Sequence, residues 1–141
     1  MRSLCGVLML GLMIGAGWVT AQAQGLTAAD YPAKMKAVQT ANGQLQKALK
    51  SGAAADAVAP AKELASIFAD VEKFWAGQKK DDAVKLAASA RMGFADAAAA
   101  AAKGDVMAAQ MAAGNATANC KQCHGLYREG DAQSGFKIKG L

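Results

Sequence analysis

Beyond residue 24 the chain spaces its few bulky apolar side chains three and four residues apart and fills much of the rest with alanine. That spacing is the period of a helix face, not the alternation of a half-buried strand. No β-branched alternating run occurs anywhere, so the chain is confined to an all-α fold.

Four helices follow from the period and its breakers. The first runs from Tyr31 to Lys50, with Asp30 as cap and Pro32 in its first turn. Tyr31, Met35, Val38, Asn42, Leu45 and Leu49 form its line, and Ser51-Gly52 ends it. The second covers about Asp56 to Trp75, carrying Val58, Ala61, Leu64, Phe68, Val71 and Trp75 on one face, with Pro60 near its start. Asp81 or Asp82 caps the third, which carries Leu86, Ala90, Phe94, Ala97 and Ala101 as far as Lys103. Gly104-Asp105 stops that helix and caps the fourth, from Val106 to about Arg128. Short connections make neighbours antiparallel, which predicts an up-down-up-down four-helix bundle. Residues 129–141 read as a loose tail, with Phe136 and Ile138 available to pack back.

The first residues read as something other than fold. Arg2 precedes an apolar run from Leu4 to Val19, and Ala21-Gln22-Ala23 has the small-x-small form of a signal-peptidase site. The run is short of the ~20 residues that span a bilayer, and no basic stop-transfer cluster follows it. Residues 1–23 are therefore expected to be a cleaved secretory signal, which makes the mature protein periplasmic, without a membrane span. Cys5 lies before the apolar run and leaves with the signal rather than marking a lipoprotein.

Cleavage after Ala23 leaves 118 of the 141 residues, with 33 alanines but only 18 Leu, Ile, Val and Phe. That bulky share is below the ~20% expected of an ordinary core. Such a chain either packs thin helices closely or encloses something else, and a large apolar cofactor would serve. The remaining 15 Lys and Arg against 11 Asp and Glu leave a charge of +4. With only two arginines and no basic run longer than two residues, nucleic acid is not the expected partner.

Chemistry concentrates at Cys120-Lys121-Gln122-Cys123-His124. C-x-x-C-H is the attachment pattern of c-type haem. Residues i and i+3 share a helix face, so both thiols can form thioethers along one porphyrin edge while His124 offers an imidazole to iron. One covalent haem c, held by Cys120 and Cys123 with His124 as proximal ligand, is the expectation. Three other readings compete. A thioredoxin-like pair needs a βαβ setting. A structural zinc needs four ligands, and two Cys with the single His leave it one short. A plain disulfide suits an oxidising compartment but leaves His124 without a role.

Four helices with C-x-x-C-H near the end resemble the class II cytochromes c, the cytochrome c-prime group and its low-spin relatives. The residues that carry the likeness are Lys103-Gly104-Asp105-Val106, Ala108-Ala109 and Asn119-Cys120-Lys121-Gln122-Cys123-His124-Gly125-Leu126-Tyr127-Arg128. The segment between the second and third helices is shorter than is usual in that family. The resemblance implies a haem-enclosing bundle, often a homodimer through the first two helices. It also implies one of two functions. Relatives with an open sixth iron position bind nitric oxide or carbon monoxide, and those with a Met ligand carry electrons.

Candidates for that ligand are Met35, Met92, Met107 and Met111. Met111 and Met107 lie roughly 20 and 26 Å before His124 on the same helix, too far to reach. Met92 sits about 15 Å into the third helix and fits worse. Met35 is one turn into the first helix, level with His124 in an antiparallel pair. Met35-Lys36 also resembles a Met-Lys pair of the Met-ligated relatives. Met35 and His124 are therefore the expected iron ligands, against ordinary core packing for Met35. The expected function is single-electron transport and not catalysis, since no histidine remains beside the one on iron.

Further readings are modest. Arg128 either pairs with a haem propionate and tunes His124 or is a solvated helix-end cation. Lys34, Lys36 and Lys121 would ring the haem edge and steer an acidic redox partner, or simply be solvated. Asn42 reads as an exposed polar edge residue, the alternative being a hydrogen bond near the haem. Trp75 reads as a core or helix-end anchor.

Overall fold

A computed structural model describes residues 25–131 and 133–141. The expected signal, residues 1–23, lies outside the described residues. Four α-helices follow in order: α1 Tyr31–Lys50, α2 Ala54–Gly77, α3 Asp81–Ala102 and α4 Val106–Tyr127. They pack against one another as a four-helix bundle. None of the described helices is long and apolar enough to cross a membrane.

The helix ends follow local chemistry. Thr27 Oγ1 accepts from the Asp30 amide at 3.2 Å ahead of α1, and Pro32 sits in its first turn. Gly52 and Gly104 take positive φ (74° and 78°) at the exits of α1 and α3. Asp105 caps α4 by accepting from the Ala108 amide at 2.9 Å. Two boundaries differ from the sequence reading. Helix α2 runs from Ala54 to Gly77, two residues longer at each end than read, with Pro60 inside it and buried as Ala57 and Ala61 are. Lys80, not Asp81 or Asp82, occupies the cap of α3. The two aspartates fall in its first turn, where their charge suits the helix dipole.

Side-chain pairs fix the antiparallel order. Lys34 near the start of α1 reaches Asp70 near the end of α2 at 3.1 Å. Arg91 joins α3 to Glu72 of α2 at 2.9 Å. Tyr127 at the end of α4 donates to Asp82 at the start of α3.

The core runs through α2 and α3, where Leu64, Phe68, Val71, Trp75 and Phe94 are buried with a row of alanines. Helices α3 and α4 approach closely because small residues meet there. A Cβ on Gly93 would lie 3.0 Å from the Ala116 Cβ and 3.2 Å from the Ala112 carbonyl. Helices α1 and α4 meet far less. Gln110 Nε2 donates to the Leu49 carbonyl at 3.0 Å and ties one end of that pair. Toward the other end they border an opening whose lining includes Tyr31 and Tyr127.

The chain then turns back where the sequence suggested a loose tail. Arg128–Glu129 (β1) pairs antiparallel with Lys137–Ile138 (β2), Arg128 opposite Ile138 and Glu129 opposite Lys137. Gly130 and Gly135 supply positive φ (82° and 80°), and Asp131 Oδ1 accepts from the amides of Gln133 and Ser134.

Candidate functional site

The opening between α1 and α4 is a cavity of about 610 Å³, within the range of sites that take an organic cofactor. Tyr31, Met35, Val38 and Asn42 line it from α1, and Thr117, Cys120, Cys123 and His124 from α4. Trp75 and Phe94 form its inner wall, and Phe136 and Ile138 of the hairpin its end. A second, smaller void of about 20 Å³ adjoins it on the α2 and α3 side, against Leu86, Phe68 and Val71. Met35, Cys120, Cys123 and His124 border both. All four residues singled out in the sequence are thus brought together.

Their arrangement begins with the helix period. Cys120 and Cys123 lie one turn apart and His124 one turn from Cys120, so all three share the face of α4 turned to the opening. Each is half-buried, and neither thiol is in a disulfide. The end of α4 is held where it is by Tyr127. Its hydroxyl donates to Asp82 at 2.5 Å and its ring packs on Trp75 at 4.7 Å between centroids. Trp75 is buried to 1% exposure and donates from Nε1 to the Tyr31 hydroxyl at 3.0 Å. One aromatic cluster therefore fixes the starts of α1 and α3 and the ends of α2 and α4.

The electrostatics suit neutral ligands. Burial, then the neighbouring Cys123, pushes the Cys120 thiol up to about 11. Burial, then Asp82, does the same for Cys123. A redox C-x-x-C depresses its thiol instead. Burial, and then the Arg128 guanidinium, hold His124 below the usual imidazole range. At neutral pH its ring is therefore uncharged, with a lone pair to offer. The Asp82 carboxylate, by accepting the Tyr127 hydroxyl, raises that phenol to about 12.

Exposure separates the methionines. Met92, Met107 and Met111 are 52%, 72% and 62% exposed, whereas Met35 is half-buried and faces the cavity from across α4. Asn42 departs from its reading as an exposed edge residue. Its Oδ1 is buried at the cavity wall with no hydrogen-bond partner among the described residues. A buried acceptor left unpaired calls for a partner, and a water or another polar group in the cavity would supply one.

Lys34 also departs from its reading: it pairs with Asp70 on α2 and does not line the opening. Lys36 and Lys121 do line it, joined by Arg128 and Lys137 and by no carboxylate among the described lining residues. Arg128 stacks over the Phe136 ring at 4.4 Å. The sequence reading missed Phe136, Lys137 and Ile138 as cavity wall. A signal was present: Phe136 and Ile138 alternate as a strand face does, after a Gly-Asp…Ser-Gly turn.

Among the described residues no group of three or more His, Cys, Asp or Glu is placed to hold a bare metal ion. No family model matches the chain, and neither a curated protein nor a solved structure matches it.

Proposed function

We propose that this chain is an exported c-type cytochrome, similar to the class II group, that carries single electrons through one covalent haem c. The observation that carries this reading is the convergence of Cys120, Cys123, His124 and Met35 on one cavity. Bound there, a haem would supply one-electron chemistry at its iron.

The protein's own contributions are separable. Cys120 and Cys123 would hold the group through thioethers, for which two protonated, half-buried thiols on one helix face are suited. His124 offers a neutral imidazole nitrogen, kept so by burial and Arg128. Met35 offers a thioether sulfur from the facing helix. Tyr31, Trp75 and Phe94 exclude water from the inner side. Lys36, Lys121, Arg128 and Lys137 give the mouth a positive field that favours an acidic redox partner. Nothing in this arrangement requires a nucleophile or a general base, which fits a carrier rather than an enzyme.

The test is export of the protein alongside haem-attachment machinery, followed by denaturing electrophoresis stained for haem. The wild-type chain should retain its haem through denaturation, and the Cys120→Ser, Cys123→Ser double variant should lose it. A wild-type chain that emerges colourless overturns the reading.

A further inference from the structure

We propose that the C-terminal hairpin is a working wall of the cavity. Phe136 and Ile138 act as positioning residues that govern access of solvent and small molecules to Cys123 and His124. The inference deepens the covalent-cofactor reading, although the wall itself exists with or without an occupant.

Two independent sets of contacts carry it. The first makes the hairpin a specified element. Its strands pair Arg128 with Ile138 and Glu129 with Lys137, and the Lys139 amide donates to the Tyr127 carbonyl at 2.8 Å. Asp131 Oδ1 accepts from Ser134 N at 2.7 Å and Gln133 N at 3.0 Å. Gly130 sits at φ 82°, where a Cβ would fall 2.2 Å from the Gly135 carbonyl oxygen, so no other residue fits there unchanged.

The second set places the hairpin against the site. Ile138 is half-buried against the core cluster, and Phe136 and Ile138 line the cavity together with His124 and Cys123. The Arg128 guanidinium lies 4.4 Å over the Phe136 ring, fastening the returning strand to the end of α4. Phe136 is 48% exposed, so one face meets solvent while the residue still borders the cavity. What lies behind it is the cavity holding the imidazole and the second thiol.

The test is peptide-resolved thiol labelling of the full chain without cofactor, using one small and one bulky maleimide. Phe136→Ala should speed labelling of Cys123 by about tenfold, more for the bulky reagent, as local opening at the hairpin becomes easier. Gly130→Val, which removes no cavity side chain, should do the same by breaking the turn. Phe136→Leu should restore slow labelling, and far-UV helicity should stay unchanged in all three. Labelling rates within twofold of wild type in both disruptive variants would overturn the proposal. So would equal acceleration at Cys120 and Cys123 with lost helicity, which marks general unfolding. Because cofactor-free protein is used, a chain that never attaches haem defeats the functional reading without touching this result.

Discussion

Two seams of the same bundle solve the alanine problem in opposite ways. Between α3 and α4, Gly93 lies against Ala112 and Ala116, and the helices close until backbone nearly meets backbone. Between α1 and α4 the residues are larger, and the helices stand apart around about 610 Å³ of space. Alanine alone does not open a bundle: where it is matched by alanine and glycine, the gap simply shuts. The open seam is the one lined by two thiols, an imidazole, a thioether and an unpartnered amide oxygen. The space therefore falls at the seam where these sulfur, nitrogen and oxygen groups gather.

The sharpest way to break the comparison is to wedge the closed seam. Gly93→Val puts carbon against the Ala112 backbone, which cannot turn aside, and should cost roughly 1–3 kcal/mol. Urea unfolding measures it, and an unchanged midpoint would mean that the two helices slide apart freely. Trp75→Phe comes next, at the border of core and cavity. It removes the donor to the Tyr31 hydroxyl and should cost about 1–2 kcal/mol by the same measurement.

Met35→Leu, on the open seam, conserves volume and should change cofactor-free stability by less than about 1.5 kcal/mol. A larger loss would make Met35 a packing residue first. Smallest of all is Lys34→Ala, which removes a partly exposed ion pair to Asp70 and should stay within about 1 kcal/mol. A larger effect would show that α1 is held in its splayed position mainly by charge.

Much of this was legible beforehand because helix period and breakers are local signals. Gly104-Asp105 marks both the end of α3 and the cap of α4, and Tyr31 to Lys50 coincides with α1. The level of Met35 against His124 was read from antiparallel neighbours and helix rise, and both residues line the one cavity. What escaped depends on tertiary partners. Lys34 is drawn to Asp70, 36 residues away, and no run of sequence announces that pairing. Asn42 lies on an apolar line, and only the packing shows its oxygen buried without a partner. The hairpin was missed for a different reason. With strands of two residues each, the alternation of Phe136 and Ile138 is a faint signal, and the Gly-Asp…Ser-Gly turn residues resemble those of a loose tail.

The central claim is that the open seam is a covalent haem site spanned by His124 and Met35. It is tested most directly by visible absorption of the exported protein, ferric and ferrous, with and without carbon monoxide, beside Met35→Ala. The account predicts a low-spin spectrum with a weak far-red methionine–iron band, unmoved by carbon monoxide. Met35→Ala should turn it high-spin and responsive to the gas. A wild-type spectrum that is already high-spin and shifts with carbon monoxide would contradict the Met35 assignment and make gas binding the function. A colourless protein would contradict the haem site altogether.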